Sequence, residues 1–146
     1  MPKAETTIDI AAPPEHVFEL LMDPSRLGEW VTASRSVSGV PDGGLKVGSS
    51  FTQRLSLARS EFAVRWRIDE LERPRLAVWS GEGPKGTTAH VRYEIEPAGD
   101  GARFRYVNEY ELPGGFIGNV AGRVSSRAAE RAMKSSLKKL KRLAES

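Results

Sequence analysis

Residues 8–30 of the chain are IDIAAPPEHVFELLMDPSRLGEW, and this stretch decides the predicted fold because it joins a strand to short helices. Ile8 and Ile10 alternate with a polar residue, which is the period of a half-buried strand. Pro13 and Pro14 cannot extend a strand ladder, but they suit the first turn of a helix. Apolar residues then recur at helical spacing. The stretch therefore predicts a first strand followed directly by a first short helix.

The dipeptide Asp23-Pro24 ends this helix and begins another. Aspartate is a common N-cap, and proline is common at the first helical position. A second short helix is therefore predicted, ending near Gly28, and the two helices together are expected to form a V.

After Trp30 the apolar residues change to a period of two, which continues for about eighty residues. Turn-forming residues interrupt this pattern at five places, namely PDGG at 41–44, ARS at 58–60, RPR at 73–75, GEGPKG at 81–86 and PAGDG at 97–101. Five interruptions predict six strands, each with one polar face and one face rich in aromatic residues. Short connections and one-sided alternation are typical of an antiparallel meander.

A long helix is predicted from Gly115 to Glu145. On a helical wheel one side of it carries Gly118, Gly122, Ser125, Ala129, Met133, Leu137, Leu140 and Ala144. The residues in the N-terminal half of this side are small, whereas those in the C-terminal half fill space. A curved sheet packed against this helix would therefore be filled at one end and open at the other.

A strand, two short helices, six antiparallel strands and a long C-terminal helix is the element order of the α+β helix-grip fold. The stretch at 8–30, the later YELPGG at 110–115 and the final helix resemble the START/Bet v 1-like (SRPBCC) superfamily, and within it the polyketide cyclase/dehydrase and lipid-transport group. The resemblance covers nearly the whole chain and implies one domain over residues 1–146. It implies a seven-stranded curved antiparallel sheet around the C-terminal helix. The superfamily includes lipid carriers, hormone and flavonoid binders and aromatase/cyclases, so the fold leaves the function open.

The composition limits the kinds of site and the cellular locations that are expected for this protein. The chain has 146 residues and no cysteine, which excludes disulfides, thiolate metal sites and a cysteine nucleophile. No apolar run is long enough for a signal peptide or a membrane span, so a cytoplasmic protein is expected. The 22 basic and 19 acidic residues nearly balance, which does not favour a dedicated nucleic-acid binder.

Several motifs in the sequence resemble catalytic, metal or cofactor sites. Gly81, Gly83 and Gly86 match G-x-G-x-x-G, but a strand pattern follows them where a dinucleotide site needs a helix, so a hairpin loop is predicted. His16 and His90 are far apart in sequence and are predicted to lie on the surface, which does not support a metal site. No nucleophile motif is present. We therefore expect no metal, no cofactor and no assigned catalytic residue.

The inward faces of the predicted strands instead form an apolar wall with a few polar groups, which is typical of a small-molecule pocket. The predicted ligand-binding residues are Trp30, Phe51, Gln53, Phe62, Val64, Trp66, Val78, Ser80, Val91, Tyr93, Tyr106, Asn108, Tyr110, Gly118, Gly122, Ser125 and Ala129. Trp30 is predicted to begin the second strand near the pocket rim. The alternative for the whole set, Trp30 included, is a closed hydrophobic core.

A basic row runs along the opposite side of the final helix, formed by Arg123, Arg127, Arg131, Lys134 and Lys138. A solvated face is the simplest interpretation, because cations near a helix C-terminus also complement its dipole. The sharper alternative is contact with an anionic membrane surface.

The leading functional hypothesis is a noncatalytic carrier of a small hydrophobic or aromatic ligand, lipid-like or polyketide-like, held in an internal cavity. The second is an aromatase/cyclase in which Tyr106, Asn108 or Tyr110 polarises carbonyl groups of a folded polyketide. The third is a membrane-surface or protein-interaction module that uses the basic helix. The sequence makes no prediction of oligomeric state.

Overall fold

A computed structural model describes the backbone of residues 3–57, 60–111 and 119–146, and their side chains except those of residues 57, 60, 85, 110, 111 and 119–129. The strands are β1 (Lys3–Ile10), β2 (Ser34–Ser38), β3 (Ser50–Leu57), β4 (Ser60–Glu72), β5 (Leu76–Glu82), β6 (Thr88–Ala98) and β7 (Gly101–Glu111). The α-helices are α1 (Pro14–Leu21), α2 (Leu27–Trp30) and α3 (Asn119–Glu145), and short 3-10 turns lie at Pro24–Arg26 and Pro84–Gly86.

The seven strands form one antiparallel sheet in the order β1-β7-β6-β5-β4-β3-β2. Strands β3 to β7 are joined as consecutive hairpins, and β1 pairs with β7 through residues Lys3–Ile10. The sheet curves into a half-barrel, and α3 packs mainly against β1 and α2. The predicted helix-grip architecture, with six strands after the short helices, is confirmed.

The first helix forms as its sequence predicts. Pro14 is its first residue, and Val17, Phe18, Leu20 and Leu21 are buried. Because these four residues recur on one face, the helix closes one end of the half-barrel against β6 and β7.

The second short helix extends further than predicted. The Asp23 carboxylate accepts from the backbone N–H of Ser25 at 3.0 Å, as an N-cap should. The helix then continues past Gly28, and the N–H of Val31 donates to the carbonyl of Leu27 at 2.8 Å. Leu27 and Trp30, three residues apart, both bury their side chains, which holds this turn in place. Trp30 therefore ends α2, and the prediction that it begins the second strand was wrong.

The C-terminal half of α3 is the part whose side chains are described. Met133, Leu137, Leu140 and Ala144 are buried, as the helical spacing predicted. Two polar contacts fix this half of the helix. The Ser136 hydroxyl accepts from the N–H of Thr32 at 2.9 Å, and the Glu145 carboxylate accepts from the N–H of Ala11 at 2.7 Å. Among the residues that the structure describes, no helix combines the length and the apolarity needed to cross a lipid bilayer.

Candidate functional site

The candidate site is the concave face of the sheet, meaning the side chains that point toward α1, α2 and α3. Of the predicted residues, this face carries Phe51, Gln53, Phe62, Val64, Trp66, Val91, Tyr93, Tyr106 and Asn108, and Trp30 of α2 packs against it. Cross-strand pairing explains the grouping, because residues directly opposite one another share a face. Phe51 lies opposite Trp66, and Tyr93 lies opposite Tyr106. Their role in ligand binding stays a prediction.

Four aromatic side chains form a continuous wall across the middle strands. Trp79 makes edge-to-face contacts with Phe51, Trp66 and Tyr93, with ring centroids 5.5, 5.8 and 5.4 Å apart respectively. These separations are favourable for aromatic pairs and add specific geometry to simple burial. The aromatic rings are therefore closely packed at the centre of the wall.

Two further aromatic side chains extend the wall toward β1. Tyr93 lies 5.3 Å from Tyr106, again edge to face. Trp30 covers both tyrosines from the side of the helices, with centroids 6.3 Å from Tyr93 and 6.5 Å from Tyr106. Trp30 is fully buried, in keeping with its alternative interpretation as a core residue.

The predicted orientation of β5 was wrong by one residue. Val78 and Ser80 lie on the convex face, and Ala77, Trp79 and Gly81 lie on the concave face. The sequence of β5 has apolar residues on both faces, so alternation alone does not choose between them. Pairing decides the orientation, because Trp79 lies opposite Ile68 on β4 and Val91 on β6, both of which are buried. Sequence reasoning therefore missed Trp79, whose size was the available signal.

Gly81 has a packing role that the G-x-G-x-x-G motif at 81–86 did not predict. It belongs to β5, and a Cβ atom at this position would lie 2.7 Å from both the Trp66 ring and Val64. The missing side chain lets Trp66 lie directly over the backbone of β5. The rest of the motif forms the predicted connection, with Gly86 in the left-handed region at φ 80°.

Polar atoms on the concave face divide into paired and unpaired groups. The Nε1–H of Trp66 donates to Oε1 of Gln53 at 2.9 Å. Within the described part of the chain, Nε1 of Trp30, Nε1 of Trp79, Oδ1 of Asn108 and Oγ of Ser34 are buried without a hydrogen-bond partner. Unpaired buried polar groups are uncommon, so each of the four calls for an explanation.

The tyrosine hydroxyls of this face stay protonated over a wide pH range. Burial raises the pKa of Tyr106 to about 12. Burial, and to a smaller extent the neighbouring Tyr106, raises the pKa of Tyr93 well above its usual range. Both phenols are therefore neutral groups near neutral pH and can donate a hydrogen bond.

Accessibility changes from one end of the concave face to the other. Ile68, Ile95 and Phe104, at the end closed by α1, are fully buried. Phe62 and Ala89, beside the β3–β4 and β5–β6 connections, are only partly buried. The side chains of Phe62 and Ala89 are thus more exposed than those of Ile68, Ile95 and Phe104, although Ile8, opposite Phe104, is also partly buried.

Several predicted residues lie outside the described side chains, namely Tyr110, Gly118, Gly122, Ser125 and Ala129. The predicted cavity beside the small residues of α3 is therefore not described either. A separate surface groove of about 700 Å³ lies between the end of β1, the β6–β7 turn and α3. Charged residues of both signs line it, including Asp9, Asp100 and Lys141. This lining does not suit an apolar ligand.

The remaining candidate residues are on the surface. His16 and His90 are both exposed, as predicted. The described residues contain no group of three or more histidine, cysteine or acidic side chains that could hold a metal ion. Of the basic row, Arg131, Lys134 and Lys138 are exposed and form no ion pair with another described side chain, while Arg123 and Arg127 lie outside the described side chains.

The sequence of the chain matches a known protein family. The family described as "Polyketide cyclase / dehydrase and lipid transport" matches residues 1–145. No curated protein sequence matches the chain significantly.

Solved structures share the fold at low sequence identity. CV1439 from Chromobacterium violaceum is 19% identical with a TM-score of 0.76, covering 100% of this chain and 99% of its own. TTHA0849 from Thermus thermophilus is 19% identical with a TM-score of 0.79, covering 97% and 95%. A conserved protein from Geobacillus kaustophilus is 18% identical with a TM-score of 0.74, covering 97% and 94%. With the family match spanning almost every residue and the seven-stranded helix-grip fold in place, the chain belongs to the polyketide cyclase/dehydrase and lipid-transport family.

Proposed function

We propose that the protein is a noncatalytic carrier that binds a small hydrophobic or aromatic ligand between the concave face of the sheet and the N-terminal half of α3. The observation that carries this proposal is an aromatic wall that contains buried, unpaired polar atoms. Apolar walls provide affinity, and a few polar groups fix the orientation of a ligand. Family membership supports hydrophobic ligand binding in general terms.

The gradient of burial supports a ligand entry at one end. Phe62 and Ala89 are partly buried apolar side chains at that end, as is Leu55 opposite Phe62, and they lie beside the β3–β4 and β5–β6 connections. A ligand entering there would reach the Trp79–Tyr93 wall without disturbing the packed end near α1.

Adjacent residues of β6 provide a matched test. Ala89 is partly buried and opposite Gly81 on the concave side, whereas His90 is exposed on the convex side. We expect Ala89→Phe to weaken the binding of the neutral apolar dye Nile red at least tenfold, because the new ring occupies the entrance. His90→Phe adds the same ring outside and should leave binding unchanged. Equal effects of the two substitutions, or no Nile red binding by the unmodified protein, would contradict the proposal.

A cyclase is the second candidate, and the neutral tyrosine pair favours it. The ring centroids of Tyr93 and Tyr106 lie 5.3 Å apart. Their phenol groups could donate hydrogen bonds to ketone oxygens of a folded polyketide substrate. Orientation of a flexible substrate alone supplies several kcal/mol, about 7 or more in favourable cases. Turnover of a short polyketide mimic that is lost in Asn108→Ala and kept in Ser80→Ala, on the convex face, would identify an enzyme rather than a carrier.

Contact with an anionic membrane surface is a third candidate function, and the exposed cations of α3 favour it. Arg131, Lys134 and Lys138 form the described part of the basic row and lie opposite the buried side of α3. Each cation near an anionic surface contributes about 1 kcal/mol. Binding to phosphatidylserine vesicles at low salt that weakens in Lys134→Glu/Lys138→Glu would support this contact. Equal binding by the double variant would remove it.

A further inference from the structure

We infer that the ligand is an uncharged molecule with at least two hydrogen-bond-accepting oxygens, and that the indole N–H groups of Trp30 and Trp79 hold those oxygens. This inference rests on the proposed function and specifies the chemistry of its ligand. Three observations carry it, namely the unpaired indoles, their arrangement around Tyr93, and the absence of charge among the described buried residues.

The first observation is the contrast between the three tryptophans. Trp66 donates its Nε1–H to Gln53, although both side chains are buried. Trp30 and Trp79 are as deeply buried, at 0% and 2% exposure, but their Nε1 atoms have no partner in the described part of the chain. An unsatisfied buried donor costs about 1–3 kcal/mol, and phenylalanine would fill much of the same wall without that cost. The two unpaired indoles are therefore better explained as ligand contacts than as packing residues.

The second observation is their arrangement. Trp30 and Trp79 contact the Tyr93 ring, with centroids 6.3 and 5.4 Å away. Asn108, whose Oδ1 is also unpaired, lies opposite Val91, and Val91 lies opposite Trp79. Because adjacent strands are about 4.8 Å apart, the backbones at Trp79 and Asn108 are separated by about 10 Å. The two indole rings thus contact Tyr93, and Asn108 lies on the same concave face two strands away from Trp79. We infer that a ligand with two or three fused rings could contact more than one of these residues.

The third observation concerns charge. The buried polar residues are Ser34, Gln53 and Ser136, and no described residue with a buried side chain is charged. A carboxylate or phosphate placed against this wall would lose its hydration without gaining a described counter-ion, which is strongly unfavourable. Neutral carbonyl oxygens accept from indole N–H groups without that penalty. The wall therefore selects ketones, quinones or related neutral oxygenated compounds over fatty acids and phosphates.

Both indole nitrogens are buried, so a ligand must displace the atoms that cover them. Trp30 is the more easily moved of the two, because it sits at the end of a four-residue helix and not within the sheet. Its displacement would uncover the adjacent edges of Tyr93 and Tyr106.

Indole N–H resonances of the full-length protein test the inference directly, with Trp66 as an internal control. In the free protein, the Trp66 indole proton should resonate downfield of the other two because it alone is hydrogen-bonded. Addition of anthraquinone should move the Trp30 and Trp79 resonances downfield and leave the Trp66 resonance near its position. Single Trp→Phe variants assign the three signals. Downfield indole protons for Trp30 and Trp79 in the free protein would overturn the inference, because they would already have partners.

Affinities for three related probes separate this inference from the proposed function. Anthraquinone should bind at least tenfold more tightly than anthracene, and the anthraquinone carboxylate should bind at least tenfold more weakly than anthraquinone. Equal affinity for anthracene and anthraquinone would overturn the role of the oxygens while leaving a hydrophobic carrier intact. Equal affinity for the carboxylate would overturn the requirement for a neutral ligand. If none of the probes binds and Nile red also fails, the proposed function fails together with the inference.

Discussion

The indole of Trp66 on β4 donates a hydrogen bond to the side-chain amide of Gln53 on β3, with 2.9 Å between Nε1 and Oε1. Gln53 lies opposite Val64 in the strand pairing, so this bond runs diagonally to the residue two positions further along β4. This hydrogen bond joins a glutamine to the aromatic wall. The bond explains how a glutamine can occupy a buried position in a sheet that is otherwise apolar there.

Removing the acceptor should destabilise the protein through the indole that remains. Gln53→Leu leaves the Trp66 donor buried and unpaired, so we expect a loss of about 1–3 kcal/mol in the free energy of unfolding, measured by urea denaturation. In the Trp66→Phe background, Gln53→Leu should lower the free energy of unfolding clearly less, because no indole N–H is left without a partner. A double-mutant cycle with no coupling between the two positions would contradict the structural role of this bond.

Gly81→Ala should be destabilising because there is no room for a methyl group. The new Cβ would lie 2.7 Å from the Trp66 ring, and overpacking of this kind costs about 1–3 kcal/mol. Gly28→Ala is the control, since a Cβ there meets nothing within 4 Å and the residue lies within α2. Replacing a helical glycine by alanine should stabilise the protein by up to about 1 kcal/mol. Thermal denaturation of both variants measures these effects. We expect the melting temperature to fall in Gly81→Ala and to rise in Gly28→Ala.

Alkaline pH should destabilise the protein as Tyr93, which is buried, and Tyr106, which is partly buried, ionise. The pKa of Tyr106 is about 12 in the folded protein and 10 in a free tyrosine, because burial disfavours the phenolate. The folded state therefore holds this proton more tightly, and the resulting stability is complete below pH 10 and is lost between pH 10 and 12. The shift corresponds to about 2–3 kcal/mol. Tyr106→Phe should flatten this part of the stability profile, and an unchanged profile would show that desolvation does not raise the pKa of Tyr106 in solution.

Acid should weaken the contact between the backbone of Ala11 and the carboxylate of Glu145. The backbone N–H of Ala11 is the main group that lowers the pKa of Glu145, and Lys141 adds to the effect. A lowered folded pKa means that the stabilisation is present above the ordinary value of 4.5 and is lost as the pH falls below it. We expect Glu145→Gln to lower the urea midpoint at neutral pH and to have little effect in acid. Glu130→Gln, at an exposed position of the same helix, should have little effect at either pH.

The candidate site could be predicted only in part, and β4 and β5 show why. Phe62, Val64 and Trp66 were placed on the concave face correctly, because they alternate with charged residues on β4. On β5 both faces carry apolar residues, so the period-two pattern gave no preference between Val78 and Trp79. The register of the β4–β5 pairing shifts between Ile68 and Glu70, which adds one residue to β4. Beyond this bulge, simple alternation along the sequence no longer predicts which face of the sheet a side chain occupies.

Local chemistry in the sequence alone determined the order of the elements. Pro14 and the Asp23 cap favour helix starts through contacts within a few residues, and turn residues likewise favour the ends of strands. Only the tertiary structure decided that Trp30 closes a helix over two tyrosines, that Trp79 faces inward, and that Trp66 alone finds a described partner. The physical reason is that each of these outcomes depends on neighbours supplied by other strands, whose alignment is set by pairing across the whole sheet.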